Sequence, residues 1–117
     1  MIIEFKGMRP DVEKAAFVAD SATLAGDIHL GENSSVWFGA SMRAEVSSIT
    51  IGKDSNVQDN AMLHADYDLP IVIGERVSVG HNAIVHGATQ RCMWMMRSNM
   101  RTTPRSSADR RNLQFNI

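Results

Sequence analysis

The sequence predicts an all-β fold, a single-stranded parallel β-helix of hexapeptide repeats, and two observations support this. First, an aliphatic residue recurs every six positions and is followed by small or polar residues. The repeats start at Val18, Leu24, Leu30, Val36 and Met42, resume at Ile51, Val57 and Leu63, and resume again at Ile73, Val79 and Val85. Second, the Gly, Asn and Asp content of these segments is too high for long helices, and a period of six does not match a helical heptad. Hexapeptide repeats of this kind are typical of β-helices.

Each hexad is predicted to form one flat side of a triangular coil, with its aliphatic residue pointing inward. The residue four positions later is small and should fit the crowded interior. These small residues are Ala22, Ser34, Ala40, Ser55, Ala61 and Ala83. We name the three sides A, B and C, so that Ile51 starts side A, Val57 side B and Leu63 side C. Ile73, Val79 and Val85 then start the same three sides of the next coil.

Two insertions interrupt this register. The step from Leu63 to Ile73 contains four extra residues, around positions 67–70, and three extra residues lie around positions 47–49. We expect two loops at successive corners between sides C and A. The asparagines of the repeats are interpreted as turn formers, because Asn tolerates left-handed backbone geometry. They are Asn33, Asn56, Asn60 and Asn82.

The register places Arg43, His64 and His86 second in the hexad on side C of three consecutive coils. They should therefore form a column whose members are one strand spacing apart, ~4.8 Å at the backbone, and the two imidazoles can share a metal ion. His81 is third in its hexad on side B, above Asp59, and leaves the adjacent side. A zinc site needs three protein ligands and an open position. We therefore expect His81 to come from a neighbouring subunit, in a ring with three-fold symmetry.

The motifs NVQDNAMLH (residues 56–64), VGHNAIVHG (79–87) and SSVWFGASMRAE (34–45) resemble the gamma-class carbonic anhydrases over roughly residues 10–90. The resemblance implies a left-handed coil and a homotrimer that binds zinc between subunits. It also implies reversible hydration of carbon dioxide to bicarbonate by metal-bound hydroxide. The implied metal ligands are His64, His81 and His86. Iron and cobalt are alternatives to zinc, because imidazole suits all three metals.

The same resemblance implies candidate catalytic residues. Gln58 would orient the hydroxide or the substrate, while Arg43 and Asp59 would form an ion pair across the subunit interface. Glu45 stands where the family motif commonly has Asp. The loop acids Asp66 and Asp68 are candidate proton shuttles, and Trp37 and Phe38 are expected at the trimer interface. The fourth histidine, His29, matches no motif and is interpreted as a surface residue.

Composition restricts the class of protein. The chain has one cysteine, an N-terminal sequence without a charged segment followed by an apolar run, and no stretch of about 20 apolar residues. These features favour a cytoplasmic protein with no membrane partner and a small-molecule substrate, and no nucleic-acid partner is expected. A division into two parts is also predicted. Residues 1–90, the β-helix, carry a net charge of −6, whereas residues 91–117 form an Arg- and Met-rich tail with a net charge of +5.

The tail shows no further hexads, whereas family members usually continue with about two more coils and a C-terminal helix. A short helix over residues 92–101 would cap the open end of the coil. The other interpretations are an anion-binding or disordered tail, and an altered reading frame near codon 90. In family members these further coils carry residues that line the active site, and no residue of this sequence corresponds to them. Two alternative functions therefore stay open, a hexapeptide-repeat acyltransferase and a non-catalytic metal-binding trimer.

Overall fold

The computed structural model describes residues 1–87 together with the strand residues 89–90, 94–95 and 100–101. The described residues contain strands and turns, and no helix long and apolar enough to cross a membrane is found among them. The strands are β1 (Ile2–Ile3), β2 (Phe17–Val18), β3 (Thr23–Leu30), β4 (Ser35–Val36), β5 (Ser41–Ile51), β6 (Asn56–Val57), β7 (Met62–His64), β8 (Ile71–Ile73), β9 (Ser78–Val79), β10 (Ile84–His86), β11 (Thr89–Gln90), β12 (Trp94–Met95) and β13 (Met100–Arg101).

These strands pair in parallel and stack as a coil. One sheet has the order β1-β3-β5-β7-β10-β13, and β8 and β11 continue from β5 along the next side. The second sheet has the order β12-β9-β6-β4-β2 and forms side B. Because β3 and β5 are long, they pass from side C to side A without a break. The predicted parallel β-helix is therefore confirmed.

The interior of the coil contains the residues that the hexad predicted. The aliphatic residues Val36, Ile51, Val57, Leu63 and Val79 are fully buried, as is the series of small residues four positions later in each hexad. The two small residues that are polar, Ser34 and Ser55, are also buried, and their hydroxyls donate to the carbonyls of Gly31 and Gly74 at 2.7 and 2.6 Å. These hydrogen bonds compensate the cost of burying a hydroxyl group.

Both insertions lie where the register placed them. Asp66 and Leu69 close a tight turn through two backbone hydrogen bonds. The earlier insertion is a bulge inside the continuous strand β5, between the pairs Gly26–Ala44 and Ile28–Ile49, so the prediction of a separate loop around positions 47–49 is wrong. Gly26 has φ +91°, and a Cβ there would lie 2.2 Å from the carbonyl oxygen of Ala44, so the bulge requires glycine.

The corner asparagines adopt left-handed backbone geometry at three of the four predicted positions. Asn33, Asn60 and Asn82 have φ near +60°. The prediction for Asn56 is wrong, because this residue lies in β6 and its amide donates to the Ser78 hydroxyl at 3.0 Å.

Two short strands follow the last hexad. β12 pairs with β9, and β13 pairs with β10, so that both continue the coil by parallel pairing. The predicted capping helix is therefore wrong at residues 94–95 and 100–101, and its other residues lie outside the described part of the chain. The physical reason is that β9 and β10 offer unpaired backbone groups that a further strand satisfies. The domain boundary near residue 90 stays a prediction.

Candidate metal centre

The predicted histidine column is present on side C. β5, β7 and β10 are in register, so that Arg43 pairs with His64 and His64 pairs with His86. The two imidazole rings are stacked, with centroids 4.9 Å apart and an angle of 11° between their planes. Two parallel imidazoles at one strand spacing therefore face the same side of the coil.

Glu45 and Arg43 surround His64. Glu45 Oε1 lies 2.8 Å from His64 Nε2 and 3.2 Å from Arg43 Nε. Arg43 Nη2 lies 3.1 Å from His64 Nε2 and 3.4 Å from His64 Nδ1. The sequence did not predict that Glu45 contacts His64, because Glu45 lies where β5 leaves the hexad register. The sequence feature that could have indicated the contact is the longer Glu at a position where the family motif commonly has Asp.

The environment of Glu45 favours its ionised form. Burial alone would raise the pKa of this carboxyl, but a backbone hydrogen bond and the neighbouring His64 and Arg43 outweigh burial and lower the pKa below its ordinary value. Its second oxygen, Oε2, is buried and has no hydrogen-bond partner among the described residues. A buried, unpartnered carboxylate oxygen beside an imidazole is a feature that a cation would stabilise.

His86 has a carboxylate partner of its own in the turn that follows β7. His86 Nε2 lies 3.1 Å from Asp66 Oδ2, and Asp66 Oδ1 accepts the backbone N–H of Tyr67 at 2.8 Å. The Tyr67 hydrogen bond and, to a smaller extent, the two histidines lower the pKa of Asp66 below its ordinary value. The insertion around residues 67–70 therefore places an acid beside the histidine column.

We expect a carboxyl-carbon NMR titration of the metal-free protein to give Asp66 a midpoint below 3.8, its ordinary value. Because a lowered pKa favours the folded state, this carboxylate stabilises the fold above its unfolded pKa, and the contribution is lost as the pH falls through its folded pKa. His86→Ala should raise the midpoint only partly, since the Tyr67 N–H remains. A midpoint at or above 3.8 in the wild type would contradict this geometry.

His81 belongs to the other sheet. It lies in the turn after β9 and is 65% exposed, and its Nδ1 is 3.6 Å from Asp59 Oδ1 one coil below. Within the described residues of this one chain, no three His, Cys, Asp or Glu side chains converge into a group that could hold a metal ion. Two stacked imidazoles on one side and a third on another fit a divalent metal only if a neighbouring subunit supplies the third ligand.

The other predicted catalytic residues lie on two sides of the coil, Gln58 and Asp59 directly after β6 on side B and Arg43 within β5 on side C. Gln58 follows β6, and its Nε2 donates to Asn56 Oδ1 at 3.0 Å, which restricts the orientation of the amide. Arg43 and Asp59 form no ion pair with each other among the described residues, where the carboxylate partner of Arg43 is Glu45. Their predicted contact across an interface stays a prediction.

Comparisons with known proteins identify relatives of this chain. The chain is 45% identical over 86 residues to gamma carbonic anhydrase 3, mitochondrial, of Arabidopsis thaliana, covering 68% of this chain and 33% of the relative. It is 41% identical over 91 residues to a carbonic anhydrase of Geobacillus kaustophilus, covering 78% and 50%. A solved hexapeptide transferase family protein from Anaplasma phagocytophilum aligns with a TM-score of 0.70 at 35% identity, covering 77% of this chain and 52% of that one.

No family model matches the chain. The chain spans a third to a half of the length of the two curated relatives named above. Because the solved hexapeptide transferase family protein aligns over most of this chain, the predicted left-handed β-helix is confirmed as the fold.

Proposed function

The chain belongs to the gamma carbonic anhydrase family of hexapeptide-repeat proteins, and on this premise we propose that it is a metal-dependent lyase that hydrates carbon dioxide reversibly to bicarbonate. The proposed assembly is a homotrimer with one metal site at each subunit interface. The observation that carries this proposal is the stacked pair of imidazoles, His64 and His86, on a different sheet from His81.

In the proposed site, His64 and His86 of one subunit and His81 of a neighbouring subunit hold the metal ion. Zinc is the proposed metal, with iron or cobalt as alternatives. When bound, zinc supplies a Lewis acid that lowers the pKa of a coordinated water toward about 7. A metal ion binds unprotonated nitrogens of His64 and His86. The carboxylates of Glu45 and Asp66, which lie beside these imidazoles, would therefore have to move away when the metal binds.

Gln58 is proposed to orient the substrate. Its Nε2 uses one hydrogen for Asn56, and no other described residue bonds the second hydrogen or the carbonyl oxygen of the amide, so both can bind carbon dioxide or bicarbonate. Asn56 is itself held by Ser78, so the amide of Gln58 is supported from a neighbouring coil. Arg43 and Asp59 are proposed to bind each other across the interface, which would hold the two ligand-bearing faces together.

The hydration of each carbon dioxide releases one proton, which a nearby base must accept. Asp66 lies beside the histidine column, but its lowered pKa makes it a weak base at neutral pH. Proton transfer is most effective when the acceptor has a pKa near the working pH. We therefore propose that proton transfer through the residues described is slow and that buffer bases accelerate turnover.

The experiment combines the metal content of the purified protein with a carbon dioxide hydration assay. We expect about one zinc per subunit, and for Gln58→Ala the same zinc content with kcat/KM about fivefold lower, because one orienting hydrogen bond contributes about 1 kcal/mol. A protein without stoichiometric metal would contradict the proposal. A zinc-containing trimer that does not hydrate carbon dioxide would favour the non-catalytic metal-binding alternative.

A second candidate function is acyl transfer, and the similarity to a solved hexapeptide transferase family protein favours it. In that case an exposed histidine would act as a general base on an acceptor hydroxyl, with an acyl thioester bound between subunits. Acyl transfer by the metal-free protein that is lost in His81→Ala would support this alternative.

A further inference from the structure

A cleft lies at the corner where side C passes into side A, and Glu45 separates it from the histidine column. Its walls are the turn after β1, the bulge of β5 at residues 45–48, and Tyr67 in the turn after β7. Phe5 and Met8 close the first of these turns through two backbone hydrogen bonds of 2.9 and 3.0 Å. The volume of the cleft is about 530 Å³. This volume suits a small organic molecule and is far larger than a bare ion needs.

One wall of the cleft is apolar and can also hold a positive charge. Phe5, Met8 and Tyr67 are large exposed side chains that line it. The ammonium of Lys6 lies over the Phe5 ring, 5.7 Å from its centroid. A cation at this distance from a ring face is attracted by the electrons of the ring. This wall can therefore contact both the apolar body and the cationic group of a ligand.

Two carboxylates that line the same cleft have unused hydrogen-bonding capacity. Asp27 Oδ1 lies 2.7 Å from His29 Nε2, and no described residue bonds Asp27 Oδ2. Glu45 uses Oε1 for His64 and Arg43, while its Oε2 is buried and has no partner in the described part of the chain. Carboxylate oxygens form their strongest hydrogen bonds with charged donors. An ammonium group offers three N–H donors and a positive charge, which fits these acceptors.

We infer that this cleft binds a small organic ammonium ion. The apolar part of the ligand lies against the wall formed by Phe5 and Tyr67, and its ammonium lies beside Asp27 and Glu45. An anionic ligand would be repelled by the two carboxylates, and a neutral ligand would leave them without a charged donor. Among the described residues that line the cleft there is no histidine of the column. The site is therefore separate from the proposed metal centre and goes beyond the proposed function.

The test is calorimetric titration of the full chain at pH 7 with 2-phenylethylamine, which is a cation at this pH. The control ligand is 2-phenylethanol, a neutral molecule of nearly the same size. We expect a Kd of about 1 mM or lower for the amine. The alcohol should bind about tenfold more weakly or worse, because it cannot form a charge-assisted hydrogen bond with a carboxylate.

Asp27→Asn keeps the size of the side chain and removes its charge, so it should weaken amine binding about tenfold or more. Asp54→Asn is the matched control. Like Asp27, Asp54 has one side-chain partner, Asn33 Nδ2 at 2.8 Å, but it does not line the cleft. Its affinity for the amine should equal that of the wild type. Circular dichroism checks that both variants keep their fold.

Three results would overturn the inference: no saturable binding of the amine, equal affinities for the amine and the alcohol, or unchanged amine affinity in Asp27→Asn. If Asp27→Asn does not fold, NMR titration of the wild type with the amine replaces it. Amide shift changes concentrated at residues 5–8, 27, 45–48 and 67 support the inference. Changes confined to other residues overturn it.

Discussion

His64→Ala is expected to abolish stoichiometric metal binding. His64 lies in the middle of the column, stacked on His86, and no other imidazole of the described chain can replace it there. Loss of a residue that merely supports a metal ligand typically costs 10–100-fold in affinity, so loss of a ligand should cost more than about 100-fold. The expected result is a metal content near zero after dialysis against a weak chelator.

The matched control for this variant is His29→Ala. His29 is an exposed histidine that, like His64, has a carboxylate partner, Asp27, at 2.7 Å, but it lies on β3 outside the column. Elemental analysis by mass spectrometry should find the wild-type metal content in His29→Ala. Equal metal content in His64→Ala and the wild type, or equal loss in both variants, would contradict the assignment of the site.

Ile73→Ala is expected to cause a large loss of stability. The side chain of Ile73 is 1% exposed in the interior of the coil, and alanine would leave a cavity there. Substitutions of this kind destabilise proteins by about 2–5 kcal/mol. Val72, the preceding residue of β8, points outward and is 40% exposed. Val72→Ala should therefore change the free energy of unfolding by less than about 0.5 kcal/mol.

Urea unfolding at one fixed protein concentration, with metal-free protein, measures both variants without contributions from metal binding or a changing assembly state. Equal midpoints for Ile73→Ala and Val72→Ala would show that the inward and outward faces of β8 are wrongly assigned.

The sequence was sufficient to predict the coil and the histidine column, because both depend on one repeating interval. With six residues per side, residues at the same position of successive coils lie in register. The insertion between His64 and His86 lies at a corner, so the next coil resumes the same register and the two histidines stay in one column. The hand of the coil does not follow from the interval, and it was predicted from the family resemblance.

Other features of the site could not be derived from the interval. Glu45 and Asp66 both lie just before an insertion, where the end of the hexad no longer indicates which way a side chain points. Their contacts with His64 and His86 depend on the bulge in β5 and on the turn closed by Asp66 and Leu69. Phe17 was likewise not predicted to join Trp37 and Phe38, since its contact crosses between coils. The strands β12 and β13 form without any hexad, through pairing with the coil beneath them.

The central claim is that each metal site is built from two subunits, and subunit mixing tests it most directly. His64→Ala and His81→Ala should each contain no stoichiometric metal. Equal amounts of the two variants are then unfolded and refolded together. A metal site is complete only where the intact histidine column of a His81→Ala subunit meets the intact His81 of a His64→Ala subunit. Random assembly of trimers makes about a quarter of the interfaces complete, so the mixture should recover about a quarter of the wild-type metal content. If the metal content of the refolded mixture is as low as that of each variant alone, the site is not shared between subunits.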